Sequence, residues 1–441
     1  MTQRKFIPLF TVDEVSTSED DRVVNMLKGS VEVSALAHLH DERLDPKNLE
    51  VMVEHYSIPA WPTGEPEIVL ASTIQSTKIL LPDQEHLLVS CLNPSTHKVW
   101  RIPKNRQSGL LRLASTEWAV VLPNDEENLD FLNAAMESLR FQFQMNAYVT
   151  GTTNSHQRVK KNDFLRLELP NLSESKRGII GRIHKGFRER TSLLQTENMS
   201  LRKCADSLFW GWFISTAPLH PNTGQLDRKS IKVRPTDYGN LPTSWTLHPI
   251  SSTVTIQRGF SYTGDSLCSP DEGTQMVNLA SVEPGGGYKA AGLKFTSADV
   301  HSSFLLRHDD VLLATVDLTP DLRVVGSPII APTTHEGNAI YSQDLLRLSI
   351  PNDSWLSRGF LFQWLKVHRG FLRMWSSGTT VSRFPIAALD KFMIARPDEE
   401  RLRAFDEMYE KTLALCEAND RLREKIGVMA EAIIEPLLHS E

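Results

Sequence analysis

Gly151-Thr152-Thr153 precedes Pro170 by the same interval at which Gly378-Thr379-Thr380 precedes Pro397. One long period therefore separates the two stretches, and their surroundings repeat in the same order. Just before each proline is an apolar, strand-like run, Phe164-Leu165-Arg166-Leu167-Glu168-Leu169 in one case and Phe392-Met393-Ile394-Ala395 in the other. Just after each comes a long charged segment with helical periodicity. Upstream, Leu87-Leu88-Val89-Ser90-Cys91 matches Leu312-Leu313-Ala314-Thr315-Val316. Likewise Glu117-Trp118-Ala119-Val120-Val121-Leu122-Pro123 matches Leu345-Leu346-Arg347-Leu348-Ser349-Ile350-Pro351. Amphipathic segments follow these runs, Leu129 to Phe143 and Phe360 to Trp375. Matches kept in one order at nearly one period imply an internal duplication.

Each copy therefore reads as a mixed, mostly β domain followed by a long helix. In the first helix Ile180, Phe187, Leu194, Leu201 and Leu208 recur every seventh residue. In the second, Met408, Leu415, Leu422 and Met429 do so, with Phe405, Ile426 and Ile433 at the alternate position. A seven-residue repeat is the mark of a coiled-coil seam. Gly178, Gly181 and Gly186 weaken the start of the first helix, so its ordered part is expected to begin late. Pro436 is expected to stop the second. The boundaries that follow are a domain over 1–172, a helix over 173–213, a linker over 214–240, a second domain over 241–397 and a second helix over 398–439.

A chain of 441 residues exceeds one hydrophobic core. There is no run of about 18 apolar residues to span a membrane. Met1-Thr2-Gln3-Arg4-Lys5-Phe6 lacks the apolar stretch of a secretory signal, so the expected compartment is the cytoplasm. Cys91, Cys204, Cys268 and Cys416 stand far apart without a CxxC pair, against a zinc site or a disulfide framework. The net charge of −6 argues against a generally basic nucleic-acid binder. Charge is uneven, however: residues 171–203 carry +5 and residues 399–441 carry −5. Helices of opposite sign suit pairing with each other, the favoured role for Lys176, Arg177, Arg182 and Lys185, the alternative being contacts along a nucleic-acid backbone.

Further local patterns agree with this plan. Leu241-Pro242-Thr243-Ser244-Trp245 leads into the second domain, with Gly259-Phe260-Ser261-Tyr262-Thr263-Gly264 at its first strand and turn. Asp309-Asp310-Val311-Leu312-Leu313-Ala314-Thr315 and Leu88-Val89-Ser90-Cys91-Leu92-Asn93-Pro94 are the corresponding strands of the two halves. Together with the Gly-Thr-Thr loops and their prolines, these residues make the chain similar to the specificity subunit of Type I restriction-modification systems over nearly its whole length. The order and repetition of the motifs carry this resemblance; no one motif does. Asp309 stands where the family carries glycine, and the N-terminal domain lacks a clean Leu-Pro-x-x-Trp counterpart.

The resemblance implies an α+β fold of two target-recognition domains joined by two long antiparallel coiled-coil helices, with a pseudo-two-fold repeat. It implies a non-catalytic chain that recognises a bipartite double-stranded DNA target. Its partners would be two methylation subunits and, in addition, restriction subunits. S-adenosylmethionine would sit in the methylation partner, with no cofactor on this chain. The missing chemistry agrees. Asn93-Pro94-Ser95-Thr96 has half of a methyltransferase (Asp/Asn)-Pro-Pro-(Tyr/Phe) motif, and Gly285-Gly286-Gly287 lacks a strand–glycine–helix context. Pro82-Asp83-Gln84-Glu85 and Pro397-Asp398-Glu399-Glu400 lack a neighbouring acid–x–lysine strand, and Asp398-Glu399-Glu400 suits a helix N-terminus. Two other readings stay open: a non-catalytic scaffold of two degenerate β domains on a coiled coil, and an enzyme of unrecognised site.

Base edges are read by Arg, Lys, Asn and Gln, and phosphates by basic and small hydroxyl groups. In the first half that mixture falls at Ser72, Gln75 and Lys78, at Asn93, Ser95, Thr96, His97 and Lys98, and at Thr152, Thr153, Asn154 and Arg158. In the second half it falls at Tyr262, Lys289, Thr315, Asp317, Arg323, Thr379, Thr380 and Arg383. Trp210, Trp212 and Phe213 load the end of the first helix with apolar surface, expected to pack into a core or to meet a partner.

Overall fold

The structure, a computed structural model, describes residues 29–104, 109–149, 157–215, 232–318, 321–332, 337–378 and 381–439. The chain forms two compact units, Met1–Glu197 with Asn419–Glu441, and Asn198–Ala418. Both mix helices with small sheets.

In the first unit a four-stranded antiparallel sheet runs in the order Ala37–His40, Trp118–Pro123, His86–Ser90, Val99–Ile102. Its central strands carry unbroken apolar runs, Leu87-Leu88-Val89 and Trp118–Pro123, because both faces are covered. Leu87, Val89, Ala119 and Val121 point into one core with the helices. Leu88, Trp118 and Val120 point into another. Alternate residues of a strand face opposite sides, so an unbroken apolar run is what a doubly covered strand requires. Helix α1 (Leu129–Glu137) and helix α2 (Leu139–Ala147) lie on the first face. Ser138 separates them and caps α2, its hydroxyl accepting from the Phe141 amide at 3.2 Å. Beyond the second face a five-stranded sheet runs in the order Arg43–Leu44, Lys78–Leu80, Leu111–Ala114, Met52–Tyr56, Glu67–Leu70.

The second unit repeats this plan. Its four-stranded sheet runs Thr255–Arg258, Leu345–Ser349, Val311–Ala314, Pro328–Ile330, again antiparallel throughout. Val311 and Leu313 join the helical core, while Leu312 and Ala314 face the other way. The short pair Ser30–Glu32 with Glu168–Pro170 recurs as Thr246–Pro249 with Met393–Arg396. The remaining sheet has three strands here, Lys294–Thr296, Thr274–Val277 and Ala339–Tyr341. The last two are parallel, as Met52–Tyr56 and Leu111–Ala114 are in the first unit.

The long helices are α3 (Glu174–Phe209) and, after α4 (Arg358–Val367) and α5 (Arg369–Met374), α6 (Glu399–His439). Within the second unit α3 and α6 run antiparallel. The Asn198 side chain donates to the Cys416 carbonyl at 3.2 Å, and the Phe209 and Phe405 rings lie 5.4 Å apart. Within the first unit Ile180 of α3 shares a core with Ala430, Ile434 and Leu438 of α6.

Several sequence expectations change. Helix α3 starts at Glu174 despite its glycines. A Cβ at Gly181 would lie 2.8 Å from both the Asp130 Cβ and the Phe131 amide, so glycine is what lets α3 approach α1. Pro436 lies inside α6, which continues to His439 and buries Leu438. So near the end a proline breaks little of the hydrogen-bond ladder. The heptad Leu415, Leu422 and Met429 is not the buried seam: these side chains are 42%, 39% and 53% exposed. The buried face of α6 comprises Arg401, Leu402, Phe405, Tyr409, Cys416, Asn419, Ile426, Ala430, Ile434 and Leu438, of which Phe405 and Ile426 were expected at the alternate seam position. Ile433, also read into the seam, is exposed. In α3, Ile180 and Leu194 are buried as expected. Part of the expected linker is a hairpin, Val233–Thr236 with Gly239–Pro242. Residues 216–231 lie outside the described residues. Leu241 and Trp245 are core residues, with Trp245 5.9 Å from Phe213. Phe213 is buried and Trp212 packs beside it, while Trp210 is exposed.

Candidate nucleic-acid interface

The loop between strands His86–Ser90 and Val99–Ile102 turns at Asn93, whose φ of 49° is in the left-handed region that asparagine tolerates. The Thr96 amide donates to the Asn93 carbonyl at 3.0 Å, closing the turn. Ser95 and Thr96 are exposed at its tip. The Lys98 ammonium folds back onto Thr96, donating to its hydroxyl at 2.6 Å and its carbonyl at 2.7 Å. Partial burial holds the Lys98 pKa below the ordinary lysine value. His97 faces the other way: a ring nitrogen bonds the Met136 carbonyl of α1, and the ring lies 6.1 Å from Phe141. Burial lowers its pKa. His97 thus belongs to the packing beneath the loop rather than to its outer surface.

The tail of the handover segment joins this loop. Asn93 donates its amide to the Gln157 carbonyl at 2.9 Å, and Leu92 bridges Arg158. The Val159 amide donates to the Cys91 carbonyl at 3.0 Å, and the Cys91 amide to the Glu117 carbonyl at 2.9 Å. Over these backbone bonds Arg158 reaches the Glu117 carboxylate at 2.8 Å. Thr152, Thr153 and Asn154 lie outside the described residues. The third group sits on a different sheet. Ser72 is half-buried in the turn Ala71–Thr73, and Gln75 is exposed. Lys78 opens a strand and is buried, its ammonium donating to the Ser76 hydroxyl at 2.6 Å. Desolvation lowers its pKa. A lysine so committed is poorly placed to follow a phosphate.

In the second unit the corresponding strand ends at Thr315 and Asp317, and both are buried. The Thr315 hydroxyl donates to the Asp344 carbonyl at 2.9 Å, and Asp317 accepts from the Val325 amide at 3.0 Å. Both side chains satisfy backbone groups and present nothing to a ligand. Arg383 pairs along the strand with Val316 and reaches the Asp344 carboxylate at 3.5 Å. Thr379 and Thr380 lie outside the described residues. Arg323 reaches Asp321 at 2.9 Å with more than half of its side chain in solvent. Tyr262 is half-buried under the Lys294 ammonium, 5.9 Å from the ring centre. Lys289 follows the Gly285-Gly286-Gly287 tip, whose φ angles of 86°, 118° and 125° suit glycine alone. That tip is pinned to Pro328, whose carbonyl accepts from the Gly287 amide at 2.9 Å.

Sequence reading passed over Glu117 and Asp344, which stand one repeat period apart and could have been found by following that period just upstream of the repeated strands. It also missed the buried group on α1, where Glu137 accepts from Arg188 at 2.7 Å and pairs with His184 at 3.1 Å. Lys185 reaches Asp130 of α1 at 3.7 Å, and Arg177 donates to the Leu172 carbonyl at 2.9 Å. Arg177 and Lys185 thus find partners within the first unit, where pairing with the second helix was expected. Among the described residues no group of three or more His, Cys, Asp or Glu side chains could hold a metal ion. No helix among them is long and apolar enough to cross a membrane.

No family model matches the sequence, and no curated protein matches it. Solved structures do. The S subunit of a Type I restriction-modification system from M. genitalium is 12% identical, with a TM-score of 0.50 over 92% of this chain and 95% of that one. The chain shares that subunit's fold. An HsdS subunit from Thermoanaerobacter tengcongensis is 17% identical, with a TM-score of 0.35 over 94% of this chain and 97% of that one. A chain from a structure of complex assembly and conformational transition of the type I R-M system is 18% identical, with a TM-score of 0.38 over 93% and 97%.

Proposed function

We propose that this chain is the DNA-specificity subunit of a Type I restriction-modification system. The observation that carries this is the duplicated unit. Two sheets of matching strand order are each followed by a long helix, and each carries a half-exposed arginine paired with an acid. A bipartite DNA target asks for two similar readers at a set distance, and a repeated domain on paired helices answers that need. In this reading each domain recognises one half-site in double-stranded DNA, and the antiparallel helices act as the spacer. The chain itself is non-catalytic. Two methylation subunits bring S-adenosylmethionine and the transfer chemistry, and restriction subunits bring cleavage, in the cytoplasm. The exposed apolar side chains along α6 and at Trp210 suit contacts with such partners.

The test is selection of randomised duplex DNA by the chain in complex with methylation subunits. Enrichment of a split motif, two fixed short sequences around an unspecified gap, is the expected result. Binding without any sequence preference would favour the scaffold reading, and turnover by the chain alone would favour an enzyme.

A further inference from the structure

The two units keep one feature that neither the core nor the turns require. Arg158 lies 2.8 Å from Glu117, and Arg383 lies 3.5 Å from Asp344. The acids stand one repeat period apart, and the arginines very nearly so. Their backbone settings also match. Cys91 and Thr315 each donate to the carbonyl of the paired acid, at 2.9 and 3.0 Å. Each accepts in turn from the residue after the arginine, Val159 at 3.0 Å and Phe384 at 3.2 Å. In both units the base is the outer partner: Arg158 is 54% exposed over Glu117 at 25%, and Arg383 is 45% exposed over Asp344 at 28%.

We infer that Arg158 and Arg383 are matched phosphate contacts, one for each half-site, oriented from beneath by Glu117 and Asp344. This rests on the reading that the chain binds a split DNA target. Half-sites differ in bases but present the same phosphodiester backbone, so a device common to both readers suits the backbone. Base reading belongs with what differs, such as the five- and three-stranded sheets and the Gly285-Gly286-Gly287 tip. A guanidinium has more N–H donors than one carboxylate takes, so the acid can fix its plane and leave others for a phosphate oxygen. Glu117 and Asp344 are positioning residues in this scheme.

The experiment measures affinity against salt for the complex with methylation subunits, on its selected DNA and on an unrelated duplex. Arg158→Gln and Arg383→Gln should each lower the slope of log K against log salt by about one. Both DNAs should weaken by the same factor, so the preference between them stays. Arg158→Lys should keep the slope. A change in preferred bases at one half-site would make that arginine a base reader and overturn the inference. An unchanged slope would make it a strand clasp and do the same. Phenylglyoxal labelling of the unmodified complex covers variants that fail to fold. Duplex of either sequence should protect both arginines, and labelling unaffected by DNA overturns the inference. If the unmodified complex selects no split motif at all, the proposed function fails instead.

Discussion

The two units share their four-stranded sheet strand for strand, but they join it to the long helices with opposite polarity. In the first unit the domain helix α1 supplies the acids Asp130 and Glu137, and α3 supplies Lys185, His184 and Arg188. In the second the domain helix α4 supplies the bases. Arg358 meets Glu410 of α6, and Lys366 meets Asp206 of α3 at 2.7 Å. The close approach is inverted too. The glycine is on the long helix in the first unit, Gly181 against Asp130 and Phe131. It is on the domain helix in the second, Gly359 against Tyr409. A duplicated sheet can be inherited unchanged because its partners are its own strands. Each domain–helix contact must instead suit the stretch of helix it meets: acids such as those of α1 would repel Asp206 and Glu410, the partners of α4.

The largest expected effect tests that inversion at its most buried point. Glu137→Ala leaves Arg188 and His184 without their acid in a buried setting, which should cost about 3–5 kcal/mol. Arg358→Ala leaves Glu410, which is partly exposed and can be solvated, so its cost should be clearly smaller. Urea unfolding followed by a probe in each unit measures both. Equal losses would show that the two contacts are energetically alike despite their difference in burial.

Gly181→Ala and Gly359→Ala come next. Alanine favours a helix by about 1 kcal/mol over glycine. At Gly181 that gain is overridden, because the added carbon meets backbone of α1 at 2.8 Å. A net loss of about 1–3 kcal/mol is expected. At Gly359 the added carbon meets the Tyr409 ring at 2.5 Å, near the root of a buried side chain packed on Phe405, so a comparable loss is expected. Thermal unfolding that shows Gly181→Ala to be stabilising would mean that α3 and α1 are less closely packed than described.

The smallest effect is in pH. Burial, helped by Glu410 and opposed by the Ser357 hydrogen bond, pushes Asp406 up to about 6. A carboxyl raised above its ordinary value binds its proton more tightly when folded. The second unit should therefore gain stability as pH falls from 7 through about 6 toward the ordinary aspartate value of 3.8. Glu137 is the reverse case. Burial raises its pKa, but Arg188 and His184 outweigh burial and hold it below the ordinary value. Its contribution persists above the unfolded value and is lost only as pH falls through the depressed one. Hydrogen-exchange protection factors, corrected for the intrinsic slowing of amide exchange at lower pH, should rise from pH 7 to pH 5 around α4 and the start of α6, but not in Asp406→Asn and not around α1.

Sequence alone determined the duplication, the buried central strands and the two long helices. Each of these is written in spacing along the chain. Leu87-Leu88-Val89 and Val311-Leu312-Leu313 are apolar without interruption because both faces are covered, whatever covers them. The loop at Asn93 was legible for the same reason, since a turn and its flanking strands are local. Only the tertiary structure decided which stripe of α6 is buried. Leu415 and Cys416 are neighbours in sequence, and both lie on heptad-spaced rows. The row that α3 and the domains cover is the one with Cys416, Asn419 and Ile426. Likewise Thr315, Asp317, Lys78 and His97 have the composition of ligand-binding residues, yet Asp344, Val325, Ser76 and Met136 take up their hydrogen bonds. A polar side chain's role depends on which unpaired group folding brings beside it. For Thr315 and His97 those groups, on Asp344 and Met136, come from segments distant in sequence, where no period along the chain can announce them.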